Sequence, residues 1–227
     1  MKRVFIFLQV GLILMSFTMG LSEAAKKTSV YSEFSGEGDE NVIVETNVEY
    51  KDIDDGQKAI HREKQTGTCL MQDEFITDQD GSLIKWTRFC KEDDTDLITE
   101  RKGDMLTIRG KLRGEVMDND LNLGNKHLHI YPKYSLTKFV LSDLKSMKIW
   151  TLRRDKMSKL PMVVTKKGEE EIEIDGKKVE TIKVFYTIDD KLKSRFFSHT
   201  YYFRKSDGLF LKKIENNGKV EILTKGK

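Results

Sequence analysis

Proline is almost missing from this chain. Only Pro132 and Pro161 occur in 227 residues, both near turn-like segments, so long extended runs go uninterrupted. Cysteine is as scarce, with Cys69 and Cys90 alone. No Cys-x-x-Cys spacing exists to lower a thiol pKa, which excludes a redox-catalytic pair. Charge of one sign is also lacking: 40 Lys and Arg stand against 37 Asp and Glu, for a net +3. The signs interleave along the chain, unlike the clustered basic excess of a nucleic-acid binder. No long apolar run follows residue 24, so the mature chain is expected to be soluble. Gly-rich phosphate loops and nucleophile elbows are absent as well.

One apolar run does stand at the start. Met1-Lys2-Arg3 is basic, Val4 to Met15 is uncharged and mostly apolar, and Ser22-Glu23-Ala24 places small residues before a cut at Ala25. That order predicts a cleaved secretory signal peptide over 1–24 and a periplasmic or secreted protein. An uncleaved membrane anchor is the competing reading, since Val4 to Leu21 is close to the minimum spanning length. No cysteine lies in or just after this segment, which excludes lipid attachment there. Residues 25–40 (AKKTSVYSEFSGEGDE) read as a flexible lead-in, and 41–227 as a single domain.

From Asn41 onward the pattern has period two. Val42, Val44, Thr46, Val48 and Tyr50 alternate with Ile43, Glu45, Asn47 and Glu49. Similar sets occur around Leu106 to Leu112, Leu128 to Ile130 and Ile182 to Ile188. Such alternation marks strands with one buried face. Asp80-Gly81, Asp175-Gly176, Asp207-Gly208 and Asn217-Gly218 supply hairpin turns. At Asp175-Gly176 two registers stay open. A two-residue turn sets Glu173 opposite Lys178; a bulged turn puts Ile172 and Ile174 on the face of Ile182 and Val184. The expected fold is all-β and mainly antiparallel, a curled half-barrel meander with one or two short helices packed on it. The helical segment is Thr137 to Trp150, where Val140, Leu144 and Met147 recur at helical spacing and Ser142-Asp143 could cap a shorter helix.

A four-residue loop at Asp78 to Gly81 would set Phe75 opposite Ile84, Glu74 opposite Lys85 and Cys69 opposite Cys90. Opposed strand residues can meet disulfide geometry, and an oxidising compartment would keep the bond. A Cys69–Cys90 disulfide is therefore expected.

Catalytic and metal-binding candidates are weak. His127-x-His129 has metal-ligand spacing but no third ligand, so a polar outer face is the better reading and no metal is expected. Ser198-His199 are strand neighbours, which point to opposite faces and cannot act as a pair. Asp78-x-Asp80-Gly81 fits a tight turn better than a calcium loop. Glu169-Glu170-Glu171 and Asp189-Asp190 read as solvated edges beside lysines. The stronger feature is apolar: Met71, Phe75, Ile84 and Trp86 on one hairpin face, and Phe196, Phe197, Tyr201, Tyr202 and Phe203 near the C-terminus. The second stretch carries aromatics on both faces, so something besides the sheet core covers it. That cover is the short helix, or a ligand in a concave cavity, with a filled core as the competing reading.

The run HTYYFRKSDGLFLKKIENNGKVEILT (His199 to Thr224) is similar to a strand–turn–strand of the periplasmic lipoprotein-carrier-like (LolA/LolB-like) half-barrel superfamily. FVLSDLKSMKIWTL followed by EIDGKKVETIKVFY resembles the central helix and strands of uncharacterised exported proteins in it. The resemblance spans roughly the second half of the chain. It implies an open antiparallel half-barrel whose concave side holds acyl chains in the carriers.

Together these expectations describe a non-enzymatic cell-envelope protein that binds a lipid or other hydrophobic ligand. Its ligand-binding residues would be Met71, Phe75, Ile84, Trp86, Phe197, Tyr201 and Phe203. The alternative is a structural or protein-interaction module with a filled core, which would engage an envelope protein. An unrecognised hydrolase would need a buried His–carboxylate pair beside Ser198 or Ser142. No cofactor and no nucleic-acid partner is expected.

Overall fold

The structure is a computed structural model that describes residues 27–37, 42–53, 56–65, 70–190, 192–195 and 197–226. The expected signal peptide and its cleavage site lie outside the described residues. Along the chain run β1 (Lys27–Phe34), β2 (Val42–Ile53), β3 (Gly56–Gln65), β4 (Leu70–Asp78), β5 (Leu83–Cys90), β6 (Thr95–Lys102), β7 (Met105–Leu112) and β8 (Glu115–Asn122). Two short helices follow, α1 (Pro132–Ser135) and α2 (Thr137–Leu141). The second half holds β9 (Ser146–Arg153), β10 (Ser158–Ile174), β11 (Lys177–Ile188), β12 (Ser198–Arg204), β13 (Phe210–Glu215) and β14 (Val220–Gly226).

All of these strands form one antiparallel sheet in the order β8-β7-β6-β5-β4-β3-β2-β1-β14-β13-β12-β11-β10-β9. Strands adjacent in sequence pair as hairpins, except β8 and β9, which form the two ends of the sheet, and β1 joins β14 to link the two halves. The expected all-β meander with short helices is the fold observed. The segment expected as a lead-in supplies β1 instead. Its Ser29 and Tyr31 are buried, and the strand is paired on both sides, which the β-branched and aromatic residues among its polar neighbours favour.

The sheet curls until its ends nearly meet. The Trp150 indole N–H of β9 donates to the Leu123 carbonyl just after β8 (2.8 Å). Residues 127–130 line this seam. The His129 N–H donates to Trp150 O (2.9 Å), Trp150 N–H to His127 O (2.8 Å), and Leu83 N–H to Leu128 O (2.7 Å). From the seam the chain turns inward through α1 and α2, burying Leu128, Tyr131, Tyr134, Leu136, Phe139 and Val140 in the interior. These helices therefore form a plug within the curled sheet. Gly81 lets the β4–β5 turn reach the plug: its φ is +80°, and a Cβ there would stand 2.1 Å from Ser135 O.

The helix expected over Thr137 to Trp150 stops at Leu141. Ser142 is extended, and its Oγ donates to Phe139 O (2.8 Å). Met147 belongs to β9 and Leu144 is exposed. Pairing of 146–153 with β10 outweighs the helical spacing, because tertiary partners override local propensity. At Asp175-Gly176 the two-residue turn holds, with Glu173 opposite Lys178 and both turn residues at positive φ. A register shift between Lys166 and Gly168 then absorbs one residue.

The β4–β5 hairpin differs from the expected register. Phe75 faces Trp86, Asp73 faces Arg88 and Ile76 faces Lys85. The cause lies in the turn. Asp78 N–H bonds Ser82 O (2.8 Å), which tightens the loop by one residue, and a bulge at Ile76/Thr77 adds one more. The expected Cys69–Cys90 pairing falls on Cys69, which lies outside the described residues. Ile84 is displaced to the outer surface and is 37% exposed, off the face of Phe75 and Trp86.

Candidate functional site

Beside the plug, the interior holds a cavity of about 770 Å³. Its apolar wall comes from Ile130, Leu152, Leu160, Tyr186, Ile188 and Phe197. The lining continues from these into charged residues, with Tyr186 paired directly with His199. On β12, His199 and Tyr201 alternate inward, and the strands beside them place Lys213 and Glu215 of β13 and Glu221 of β14 on the same face. Lys213 stands opposite both Tyr201 and Glu221. Its Nζ meets Glu215 Oε1 at 2.8 Å and Glu221 Oε2 at 3.3 Å. Lys133 of α1 reaches Glu221 Oε1, which ties the plug to the wall.

Burial alone would raise the Glu221 carboxyl. The ammonium groups of Lys133 and Lys213 outweigh it and hold the group down at about 2. Burial alone would lower Lys213, but its carboxylate neighbours raise it. These ion pairs are fixed charges whose desolvation is offset only while all partners remain. His199 differs. Burial outweighs the nearby Glu215 and lowers the imidazole to about 4, so it is neutral near pH 7. Its Nδ1 is buried and has no hydrogen-bond partner.

A second network holds the plug from the other side. The Asp73 carboxylate is fully buried and accepts from the Trp86 indole (2.8 Å), Arg88 Nε and Nη2 (both 2.8 Å) and the Tyr131 hydroxyl (2.6 Å). Tyr131 in turn accepts from Arg88 (2.7 Å) and Arg154 (3.0 Å). Beyond Arg154 lies a smaller, more polar cleft of about 380 Å³, lined by Met71, Arg88, Asp93, Thr95, Arg113 and Asp155 among others. Arg154 and Asp155 line both spaces.

The residues singled out for ligand contact are scattered among these surroundings. Phe197 and Tyr201 line the large cavity, and Met71 lines the polar cleft. Phe75 packs on Tyr131 with ring centroids 4.5 Å apart. Trp86 and Phe203 are fully buried, the latter against Tyr201 and Phe210. Ile84 faces outward. His129 is buried rather than on a polar outer face, and burial lowers it to about 3. Among the described residues no group of three or more His, Cys, Asp or Glu is placed to hold a metal. Ser198 and His199 are neighbours on β12. Asp78 closes a tight turn, its Oδ1 accepting from the N–H groups of Asp80 and Ser82. Glu169, Glu170 and Glu171 pair with Lys205, Lys183 and Lys178 on the surface.

Sequence reasoning missed Lys213, Glu215 and Glu221, because charged residues in strands were read as solvated, and also Lys133 of α1 and Arg113 and Arg154 in the turns after β7 and β9. The available signal was phase. Once His199, Tyr201 and Phe203 are placed inward, the residues opposite them inherit that face.

No protein-family model matches the sequence, and no curated protein matches it. The fold is similar to the crystal structure of a β-barrel-like protein of a domain of unknown function, DUF1849, from Brucella abortus. The two share 11% sequence identity at a TM-score of 0.54, over 90% of this chain and 98% of that chain. At this identity the likeness carries the fold alone. It supports a barrel-like all-β architecture without singling out the lipoprotein carriers. Among the described residues no helix is long and apolar enough to cross a membrane.

Proposed function

We propose that this is a non-enzymatic, exported cell-envelope protein that binds a lipid or similar hydrophobic molecule inside its curled sheet. The observation that carries the reading is the cavity of about 770 Å³ beside the plug, lined by aliphatic and aromatic residues together with fixed charges. A space of this size falls in the range of ligand sites. Apolar area buried there is worth about 25 cal/mol per Å² before the costs of binding. Export is supported by the basic, apolar and small-residue order of the first 24 residues. Ser198 and His199 are adjacent on β12 and point to opposite faces, so they do not form a nucleophile–base pair with each other.

The same reading includes a Cys69–Cys90 disulfide. Cys90 is fully buried at the end of β5, and the described residues contain no free cysteine. A mature-protein mass two hydrogens below the fully reduced chain supports the bond, and a reduced mass removes it.

The cavity is tested by filling it. Ile188→Trp adds an indole to the apolar wall and should abolish binding of a fluorescent fatty-acid probe while the protein stays folded. Ile84→Trp, on the outer surface, should leave binding unchanged. Equal binding by both variants would refute the cavity as the site.

A further inference from the structure

We propose that the ligand is an amphiphile with a zwitterionic phospho-ammonium head, its tail in the large cavity and its head in the polar cleft. This rests on the cavity reading above and adds the chemistry of the head. Three observations point to it. The two spaces adjoin, since Arg154 and Asp155 line both. A space with an apolar stretch of wall that opens beside a more polar cleft fits a molecule with an apolar and a polar part.

The cleft also carries charge of both signs that the fold leaves unused. The Asp93 Oδ1 atom is buried and makes no hydrogen bond. A buried carboxylate oxygen without a donor is costly, and native proteins seldom keep one without a ligand, ion or water to satisfy it. The Arg113 guanidinium has no side-chain partner among the described residues. Its backbone is held in place by the bond from its N–H to Thr95 Oγ1 (3.0 Å). Arg88, by contrast, is fully engaged with Asp73 and Tyr131.

The chemistry then sorts itself. A phosphate accepts from a planar guanidinium through two oxygens, which suits Arg113, with Arg154 lining the same cleft. An ammonium donates in three directions, which suits Asp93; Asp155 lines the same cleft but is paired with Arg153 (2.8 Å). A purely anionic head would satisfy the arginine and repel Asp93; its hydroxyls can donate to that carboxylate but bring no positive charge to neutralise it. A neutral glycerol head can hydrogen-bond either group through its hydroxyls but neutralises neither charge.

The test uses three probes with one common acyl chain: lysophosphatidylethanolamine, lysophosphatidylglycerol and monoacylglycerol. Each is titrated below its micelle concentration into the mature protein. The phosphoethanolamine lipid should bind tightest and the neutral lipid weakest. Arg113→Gln should weaken both phosphate-bearing probes about tenfold or more, the scale of losing a hydrogen bond to a charged group, and leave monoacylglycerol unchanged. Asp93→Asn should erase the preference for phosphoethanolamine over phosphoglycerol. Thermal melts of each variant verify folding. Equal affinities for all three probes, or a tighter fit for phosphoglycerol, would overturn the head-group inference while leaving the cavity reading intact. Binding of none would overturn both.

Discussion

Asp73→Ala removes one carboxylate and strands three donors. In the native protein the carboxylate accepts from Trp86, twice from Arg88 and from Tyr131, at 2.6–2.8 Å. Arg88 is only 7% exposed, so its guanidinium cannot turn to water without opening the interior. Breaking a buried ion pair by deleting one partner costs about 3–5 kcal/mol. The Trp86 N–H left unsatisfied belongs to the same network and contributes about 1–3 kcal/mol, not fully additively. The expected loss is thus about 4 kcal/mol or more. For a chain of this size that lowers Tm by roughly 8–16 °C. Urea unfolding followed by tryptophan fluorescence and by circular dichroism measures it. Arg88→Met on top of Asp73→Ala removes the stranded charge and should recover a large part of the loss. A single-variant loss under about 1 kcal/mol, or no recovery in the double variant, would refute the claim that this ion pair anchors the plug through Tyr131.

Other perturbations follow from the same structure. Gly81→Ala should destabilise by at least about 1–3 kcal/mol, because φ is +80° and the new Cβ would meet Ser135 O; an unchanged urea midpoint would contradict the contact between turn and plug. Stability should fall as pH drops from about 6.5 towards 4. His199 and His129 have folded values below the ordinary histidine value, so the unfolded chain takes up protons first. His129→Phe should flatten that part of the profile, and an unaltered slope would count against it. A second loss should come between the ordinary glutamate value and about 2, as Glu221 is protonated and Lys133 and Lys213 lose their partner. Glu221→Gln should remove that acid limb in titrations of stability against pH.

Much of the architecture was legible because period-two alternation and Asp-Gly or Asn-Gly turns report directly on strand faces and hairpins. Val44, Thr46 and Val48, read as one face, are buried together. Register was less legible. The β4–β5 pairing depends on whether Asp78 closes a loop with Ser82, a choice of one hydrogen bond that composition does not reveal. The plug was seen only as a short helix. Its inward path follows from the seam at His127 to Ile130, which joins residues far apart in sequence. The site was least legible. Phe197 and Tyr201 were placed at the cavity, but Trp86 and Phe203 are sealed in the core and Ile84 is outside. The ionic wall was unreadable locally, because Lys213 and Glu221 are buried by each other and by Lys133 of α1.

The most direct test is native mass spectrometry of the mature protein purified from a bacterial periplasm, compared with the same sample denatured. The account predicts an added mass of lipid size that disappears on denaturation and is missing from Ile188→Trp. A clean apo mass for the wild type, unchanged after incubation with the three lysolipid and glycerolipid probes, would contradict it and favour a structural or protein-interaction module.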